Sequence, residues 1–376
     1  MNLFDVYSLF DITPVRGQDC YVWDDEGNKY LDLYGGHAVI SVGHSHPHYV
    51  NRISSQLKNI GFYSNSVQNP MQQELADKLG QLSGMDEYQL FLCNSGAEAN
   101  ENALKLASFY TGRSKIVAFE RGFHGRTSGA VAITDNQKIV APFNASHDIE
   151  IVPWQDMEAV DKALSTKEVA AVIIEGIQGI GGIHIPSADF LKQLQSVCKK
   201  YNTLLILDEI QSGYGRSGKF FAFQYSDIQP DIVTMAKGMG NGFPIGGVLI
   251  SPEIKAAKGM LGTTFGGNYL ACAAGLAVLE IMQEEKLLEN VNKSGKYLFD
   301  KLSVMPGIKE LRGVGLMLAI EKNENIALIR KELLLKNYIF TGVSGTCTMR
   351  LLPPMTLNES HIDYFIDSLE ASVDSG

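Results

Sequence analysis

Short apolar runs that alternate with helix-length segments constrain this chain more than any single residue does. Residues 88–92, 115–119, 170–174, 204–207, 232–235 and 248–250 read as strands with few polar residues inside. Residues 47–60, 70–83, 97–110, 154–165 and 187–201 read as the helices between and before them. A strand that is apolar throughout has no face fit for water, so it must be covered on both sides. The expected fold class is α/β, a mainly parallel sheet with helices on both faces. In such sheets ligands sit beyond the carboxyl ends of the strands. That rule puts Asn94 to Ala97, Glu175, Asp208 to Gln211 and Lys237 along one edge.

The ends of the chain follow a different pattern. Tyr21-Val22-Trp23 and Tyr30-Leu31-Asp32-Leu33 flank the polar turn at 24–28 and read as a hairpin. Past Asn268 come helices near 270–285 and 291–305, short strands near 313–321 and 346–352, and a last helix near 358–373. We expect a large domain at 48–268, and a smaller α+β domain formed by 1–47 together with 269–376.

Lys237 is the only charge between Ile232 and Ser251, and it lies between an apolar run and Gly238, Gly240, Gly242, Gly246 and Gly247. Burial lowers an amine's basicity, so it can act as the neutral nucleophile that Schiff-base chemistry requires. Glycines let a flat ligand approach the backbone. The plain alternative is a tight strand-to-strand turn with a lysine at its tip.

Ser95 and Glu98 have capping-box spacing. A helix opening on such small residues leaves the amides of Gly96 and Ala97 free for an anion, with the helix dipole helping. An ordinary capped helix would look the same. Phe123 suits the face of a planar ligand, and Arg126 a carboxylate, unless the latter is a solvated loop arginine. Asp208 directly follows four apolar residues. It requires a cationic partner, either a protonated ring nitrogen of a ligand or a protein group such as Arg216. Thr263 and Thr264 supply hydroxyls beside Gly266 and Gly267. Arg350, among apolar residues, reads as a carboxylate clamp or as a core arginine paired to an acid.

Other patterns carry less. His44, His46 and His48 alternate, but Pro47 interrupts them, so a structural loop is expected rather than a metal site. The run 213–220 fails as a phosphate loop because Phe220 stands where a hydroxyl is needed, and no helix pattern opens at 176–182. Net charge is −10, from 32 basic and 42 acidic residues, without a basic stripe, which argues against nucleic acid or an anionic membrane as partner. Five scattered cysteines fit a reducing compartment, and neither a signal peptide nor an apolar window of about 20 residues is evident. A cytoplasmic protein is expected.

Taken in order, Asn94-Ser-Gly-Ala-Glu-Ala-Asn-Glu, Phe123-His-Gly-Arg-Thr, Leu207-Asp-Glu-Ile-Gln, Ala236-Lys-Gly and Thr264-Phe-Gly-Gly-Asn resemble the class III (ω-amino) aminotransferases. These are fold-type-I enzymes dependent on pyridoxal 5′-phosphate, and the similarity is greatest to the acetylornithine/succinylornithine group. The resemblance implies that Lys237 binds the cofactor covalently and later moves the proton. It implies that Asp208 faces the pyridinium nitrogen, Gln211 the phenolic oxygen and Phe123 the ring. Ser95, Gly96 and Ala97 would hold the phosphate, with Thr264 reaching it from a second subunit, hence a homodimer with shared sites. Arg126, Thr263 and Glu175 would contact substrate, and Arg350 would clamp the α-carboxylate of glutamate and 2-oxoglutarate. The implied reaction is ping-pong transfer of the terminal amino group of an N-acylornithine to 2-oxoglutarate, within arginine biosynthesis. Ornithine or 4-aminobutyrate aminotransferase is the alternative, with a lyase or mutase on the same cofactor, or a non-catalytic binding protein, further off.

One departure is informative. Relatives read Glu-Pro-x-Gln-Gly-Glu-Gly-Gly where this chain has Glu175-Gly-Ile-Gln-Gly-Ile180-Gly-Gly. In relatives the second glutamate can mask the arginine matching Arg350. With Ile180 that mask is gone, so Arg350 must be balanced otherwise or stay open to substrate. A donor with an extra carboxylate, such as N-succinylornithine, is then expected to be accepted better than N-acetylornithine.

Overall fold

Strand β1 (Pro14–Gln18) pairs antiparallel with β2 (Tyr21–Asp24), and β2 with β3 (Lys29–Asp32), giving the expected hairpin an extra strand. Asp24 fixes its turn: one carboxylate oxygen accepts from the amides of Glu26 and Asn28, the other from the Asn28 amide group and the Tyr30 hydroxyl. This computed structural model describes residues 1–374, with side chains through 372.

The central sheet contains β4 (Gln89–Cys93), β5 (Lys115–Phe119), β6 (Ile149–Val152), β7 (Val169–Glu175), β8 (Leu204–Asp208), β9 (Ile232–Met235) and β10 (Gly246–Ile250). Their spatial order is β4-β10-β9-β8-β7-β5-β6. Every pairing from β6 across to β9 is parallel, and every residue of β7, β8 and β9 is buried, as unbroken apolar runs demand. Strand β10 alone runs antiparallel, to both β9 and β4. Its direction follows from connection length, since residues 236–245 are too few for the crossover of about a dozen or more that a parallel neighbour needs. Strand β6, Ile-Glu-Ile-Val, has no counterpart among the expected strands. It lies at the sheet edge, where one polar face is tolerated, and Glu150 pairs there with Lys115 at 3.1 Å.

Helix Gly96–Thr111 lies across β7, β9 and β10. Helix Tyr269–Glu284 is apolar almost all round and is covered by helices Pro47–Asn59 and Pro70–Ser83. Beyond it, β11 (Glu310–Val314), β12 (Met317–Glu321), β14 (Gly342–Ser344) and β15 (Thr348–Leu351) form an antiparallel sheet in the order β11-β12-β15-β14. The two-residue β13 (Ile339–Phe340) pairs instead with β3, tying the C-terminal part of the chain to the first hairpin. Helix Ala327–Leu335 and the short strands β13 and β14 are additions to the sequence reading. Among the described residues no helix is long and apolar enough to cross a membrane.

Candidate active site

The carboxyl ends of β4, β7, β8 and β9 meet at one cavity of about 290 Å³. Ser95, Gly96, Ala97, Phe123, Glu175, Asp208, Gln211 and Lys237 line it, and so does Ile180. The edge expected from strand order is therefore a single concave site.

Lys237 directly follows β9 and has a φ of 45°, in the left-handed region that costs an L-residue about 1–2 kcal/mol. Such strain persists only where the surroundings fix it. Here the N-terminal segment does so. The Ser41 hydroxyl donates to the Gly238 carbonyl at 2.7 Å, the Tyr49 hydroxyl to the Gly240 carbonyl at 2.6 Å, and Asn241 accepts from the amides of Ser41 and Val42. The lysine is thus both the turn residue of the plain alternative and a cavity residue. Burial pushes its amine down to about 8, with Asp208 and Glu175 opposing the shift and Arg350 and Arg216 adding to it. Covalent capture of an aldehyde by the empty protein should therefore speed up about tenfold per pH unit below about pH 8 and level off above it. Stopped-flow absorbance from pH 6 to 10 measures this. A rate still rising at pH 10 would mean an amine of ordinary basicity.

Asp208 is held by three donors. His124 Nδ1 at 2.7 Å and Asn100 Nδ2 at 2.8 Å share Oδ2, while the Ile210 amide reaches Oδ1 at 3.0 Å. Arg216 is not its partner. That guanidinium is buried against backbone carbonyls, those of Leu316 and Pro353 through Nη1 and that of Ile40 through Nη2. The side chain paired with Asp208 in its place is His124: burial disfavours the imidazolium, but the hydrogen bond and charge of Asp208, with Glu175 adding, carry its pKa above the ordinary value. Glu175 pairs with Asp208 in register across β7 and β8. Both its oxygens are used by backbone, from the Phe123 amide at 3.0 Å and the Gly179 amide at 2.8 Å. It braces the two loops that carry Phe123 and Ile180. Burial raises its pKa well above the usual carboxylate range, against the charge of His124.

The helix start at 95–98 differs from a reciprocal capping box. The Ser95 hydroxyl accepts from the Glu98 amide at 3.2 Å, but Glu98 reaches one residue further back, to the Asn94 amide at 2.6 Å. The amides of Gly96 and Ala97 have no acceptor one turn back, which leaves an anion site at the helix N-terminus. A Cβ on Gly96 would sit 2.8 Å from Ile210 Cγ2, so the close packing against the segment after Asp208 needs glycine. A Cβ on Gly179 would come within 1.9 Å of Gln211 Oε1.

Four of the sequence candidates lie outside the cavity lining: Arg126, Thr263, Thr264 and Arg350. Arg126 and Thr264 are exposed. Thr263 accepts from the Gly266 amide and from Asn94 Nδ2, at the margin of the site. Arg350 is buried behind Gln211, donating from Nε to the Val343 carbonyl and from Nη1 to the Gly179 carbonyl and Gln211 Oε1. Among the described residues no ion pair joins it to a carboxylate, so neither the core-pair alternative nor a glutamate mask applies. The alternating histidines go to separate carboxylates, His44 to Asp32, His46 to Glu285 and His48 to Glu280.

Three residues absent from the sequence candidates complete the site: His124, Asn100 and Thr234. His124 lies between Phe123 and Gly125, in a motif whose neighbours carry the more evident chemistry. The available signal for the others was polarity in the wrong place, Thr234 inside an apolar strand and Asn100 one turn into a helix.

The donor set fits a planar, phosphate-bearing aldehyde with a protonated ring nitrogen. A helix N-terminus suits the phosphate, an amine of lowered basicity the aldehyde, and a buried acid the ring. The aminotransferase class-III sequence model matches residues 5–373. The acetylornithine aminotransferase of Methanopyrus kandleri is 41% identical, over 98% of this chain and 97% of its own. That of Archaeoglobus fulgidus is 38% identical, over 97% and 96%. Among solved structures, an ornithine aminotransferase from Toxoplasma gondii, described with partial occupancy of pyridoxal phosphate at its active site, superimposes with a TM-score of 0.91 at 28% identity, covering 98% of this chain and 91% of that one.

Proposed function

This chain belongs to the class-III aminotransferases, and from that premise we propose that it transfers the terminal amino group of an N-acylornithine to 2-oxoglutarate, giving the N-acylglutamate 5-semialdehyde and glutamate, in arginine biosynthesis. Its cofactor is pyridoxal 5′-phosphate, which supplies an electron sink for ionising the C–H bond next to the amine.

The observation that carries the reading is an amine without a hydrogen-bonding partner among the described residues and a buried carboxylate with one acceptor position left, in one cavity at a helix N-terminus. In this reading Lys237 Nζ would anchor the cofactor and serve as the base that moves the substrate proton. Asp208 would accept from the ring N–H and keep that nitrogen charged. Ser95, Gly96 and Ala97 would hold the phosphate, Phe123 would cover the ring, and Gln211 would face its phenolic oxygen. Arg126, Thr263 and Glu175 remain our assignments for substrate contact or support. Arg350 remains our α-carboxylate clamp, reaching substrate once Gln211 gives way.

We also infer a homodimer in which Thr264 enters the partner's site. Phe62, Tyr63 and Phe265 form an exposed aromatic patch beside Thr264, with the rings of Phe62 and Phe265 5.3 Å apart, and a second copy would cover it. Sedimentation at micromolar concentration should give a two-chain particle, and a monomer would overturn this. The five cysteines are free, which supports our assignment to the cytoplasm.

Ile180 stands exposed at the cavity, where the mask would be, and its carbonyl accepts from the Ser344 hydroxyl at 2.7 Å. Without a carboxylate there, repulsion of on the order of 1 kcal/mol against an extra substrate carboxylate is absent. N-Succinylornithine should outcompete N-acetylornithine by about fivefold in kcat/KM, and Ile180→Glu should erase the difference. Competition kinetics test this, and a preference for the acetyl compound would reject the succinyl assignment. Failure of both donors to yield glutamate from 2-oxoglutarate would reject the function itself.

A further inference from the structure

A carboxylate offers about four acceptor positions, and three on Asp208 are filled by the protein. Oδ2 is saturated by His124 and Asn100, so the remaining position is on Oδ1. The orientation of the Asn100 amide determines whether this arrangement holds. Asn100 is fully buried, and its Nδ2 also donates to the His124 carbonyl at 2.7 Å. Its Oδ1 accepts from Thr234 Oγ1 at 2.7 Å. Turned over, the amide would set Oδ1 against the Asp208 carboxylate and the His124 carbonyl, acceptor against acceptor. Those two acceptors oppose the flip, and the Thr234 hydroxyl, donating to Oδ1, adds a third hydrogen bond that holds the observed orientation in place.

Thr234 is fully buried in β9, the strand that leads into Lys237, and it is the register partner of Asp208 across β8 and β9. Its carbonyl accepts from the Glu209 amide at 2.9 Å, which closes the same junction through the backbone. Buried polar side chains in an otherwise apolar strand and helix face are costly unless they are paired. Among the described residues the sole side-chain partner of Thr234 is Asn100, and that of Asn100 beyond Thr234 is Asp208.

We propose that Thr234 and Asn100 are positioning residues that act as a relay. Thr234 fixes the Asn100 amide, and Asn100 fixes the rotation of the Asp208 carboxylate, so that its single open acceptor position is presented to the cofactor ring nitrogen. The inference rests on the reading of Asp208 given above and extends it to residues that do not line the cavity.

The test is an absorbance titration of the empty protein with pyridoxal phosphate, together with a pH titration of the bound cofactor's visible band. Thr234→Val keeps the side-chain volume and removes the hydroxyl, while Thr234→Ser keeps the hydroxyl. The bond from Asn100 to the Asp208 carboxylate, which Thr234 holds in place, is one to a charged group and corresponds to roughly 10- to 100-fold in an equilibrium constant. Thr234→Val should therefore bind cofactor about 10- to 100-fold more weakly, with a shifted pH midpoint of the band and reduced kcat at unchanged donor KM. Thr234→Ser should restore wild-type values, and Asn100→Ala should match Thr234→Val. Wild-type affinity and midpoint in Thr234→Val would overturn the relay, as would equal losses in Thr234→Val and Thr234→Ser, which would mean a role in packing. Either result leaves Asp208 and Lys237 in their assigned roles, because those are tested by their own substitutions.

Discussion

Lys237→Ala should lower turnover with every amino donor by on the order of 10⁴-fold or more, even with saturating cofactor. A positioned general acid–base group alone contributes about 10²–10⁴-fold, and the covalent anchor is lost with the same side chain. The fold should survive. Among the described residues the amine makes no hydrogen bond, and the turn that holds it is secured through Ser41, Tyr49 and Asn241. Steady-state assay of glutamate formation, beside a melting curve, is the measurement. Residual activity above about one per cent in a folded variant would assign the proton transfer to another group.

Asp208→Asn is the second large effect. Removing one partner of a buried charge pair costs about 3–5 kcal/mol, roughly 10²- to 10⁴-fold if expressed wholly in kcat/KM. The loss has an internal signature at His124. Burial alone would hold that imidazole below its ordinary value, and the contact with Asp208 at 2.7 Å raises it. In the variant the His124 pKa should therefore fall, which NMR titration of the imidazole reads without any substrate. A wild-type His124 titration together with wild-type turnover would show that Asp208 neither charges the imidazole nor serves the ring.

The strands and helices of the central layer were legible because burial imposes a local pattern. Strand Lys115–Phe119 and helix Pro70–Ser83 have the bounds that their apolar spacing indicates. Strand β10 reversed direction for a reason equally present in the sequence, the short connection through Lys237, which apolar patterning does not register. The meeting of Ser95, Gly96, Ala97, Glu175, Asp208, Gln211 and Lys237 at one cavity was also legible, since residues at strand ends become neighbours once the sheet is parallel. The places of Arg126 and Arg350 were not, since one is exposed and the other is packed against carbonyls. An arginine's reach spans several partners, and chain spacing does not select among them. The relay behind Asp208 was hidden for another reason. Asn100 and Asp208 are 108 residues apart, and a buried polar side chain declares its partner only after the helix has crossed the sheet.

The central claim is a covalent one, and borohydride reduction of the cofactor-loaded protein, followed by peptide mass mapping, tests it most directly. The account predicts one reduced pyridoxyl phosphate adduct per chain, on the peptide containing Lys237. An adduct on a different lysine, or a loaded protein that reduction leaves unlabelled, would contradict it.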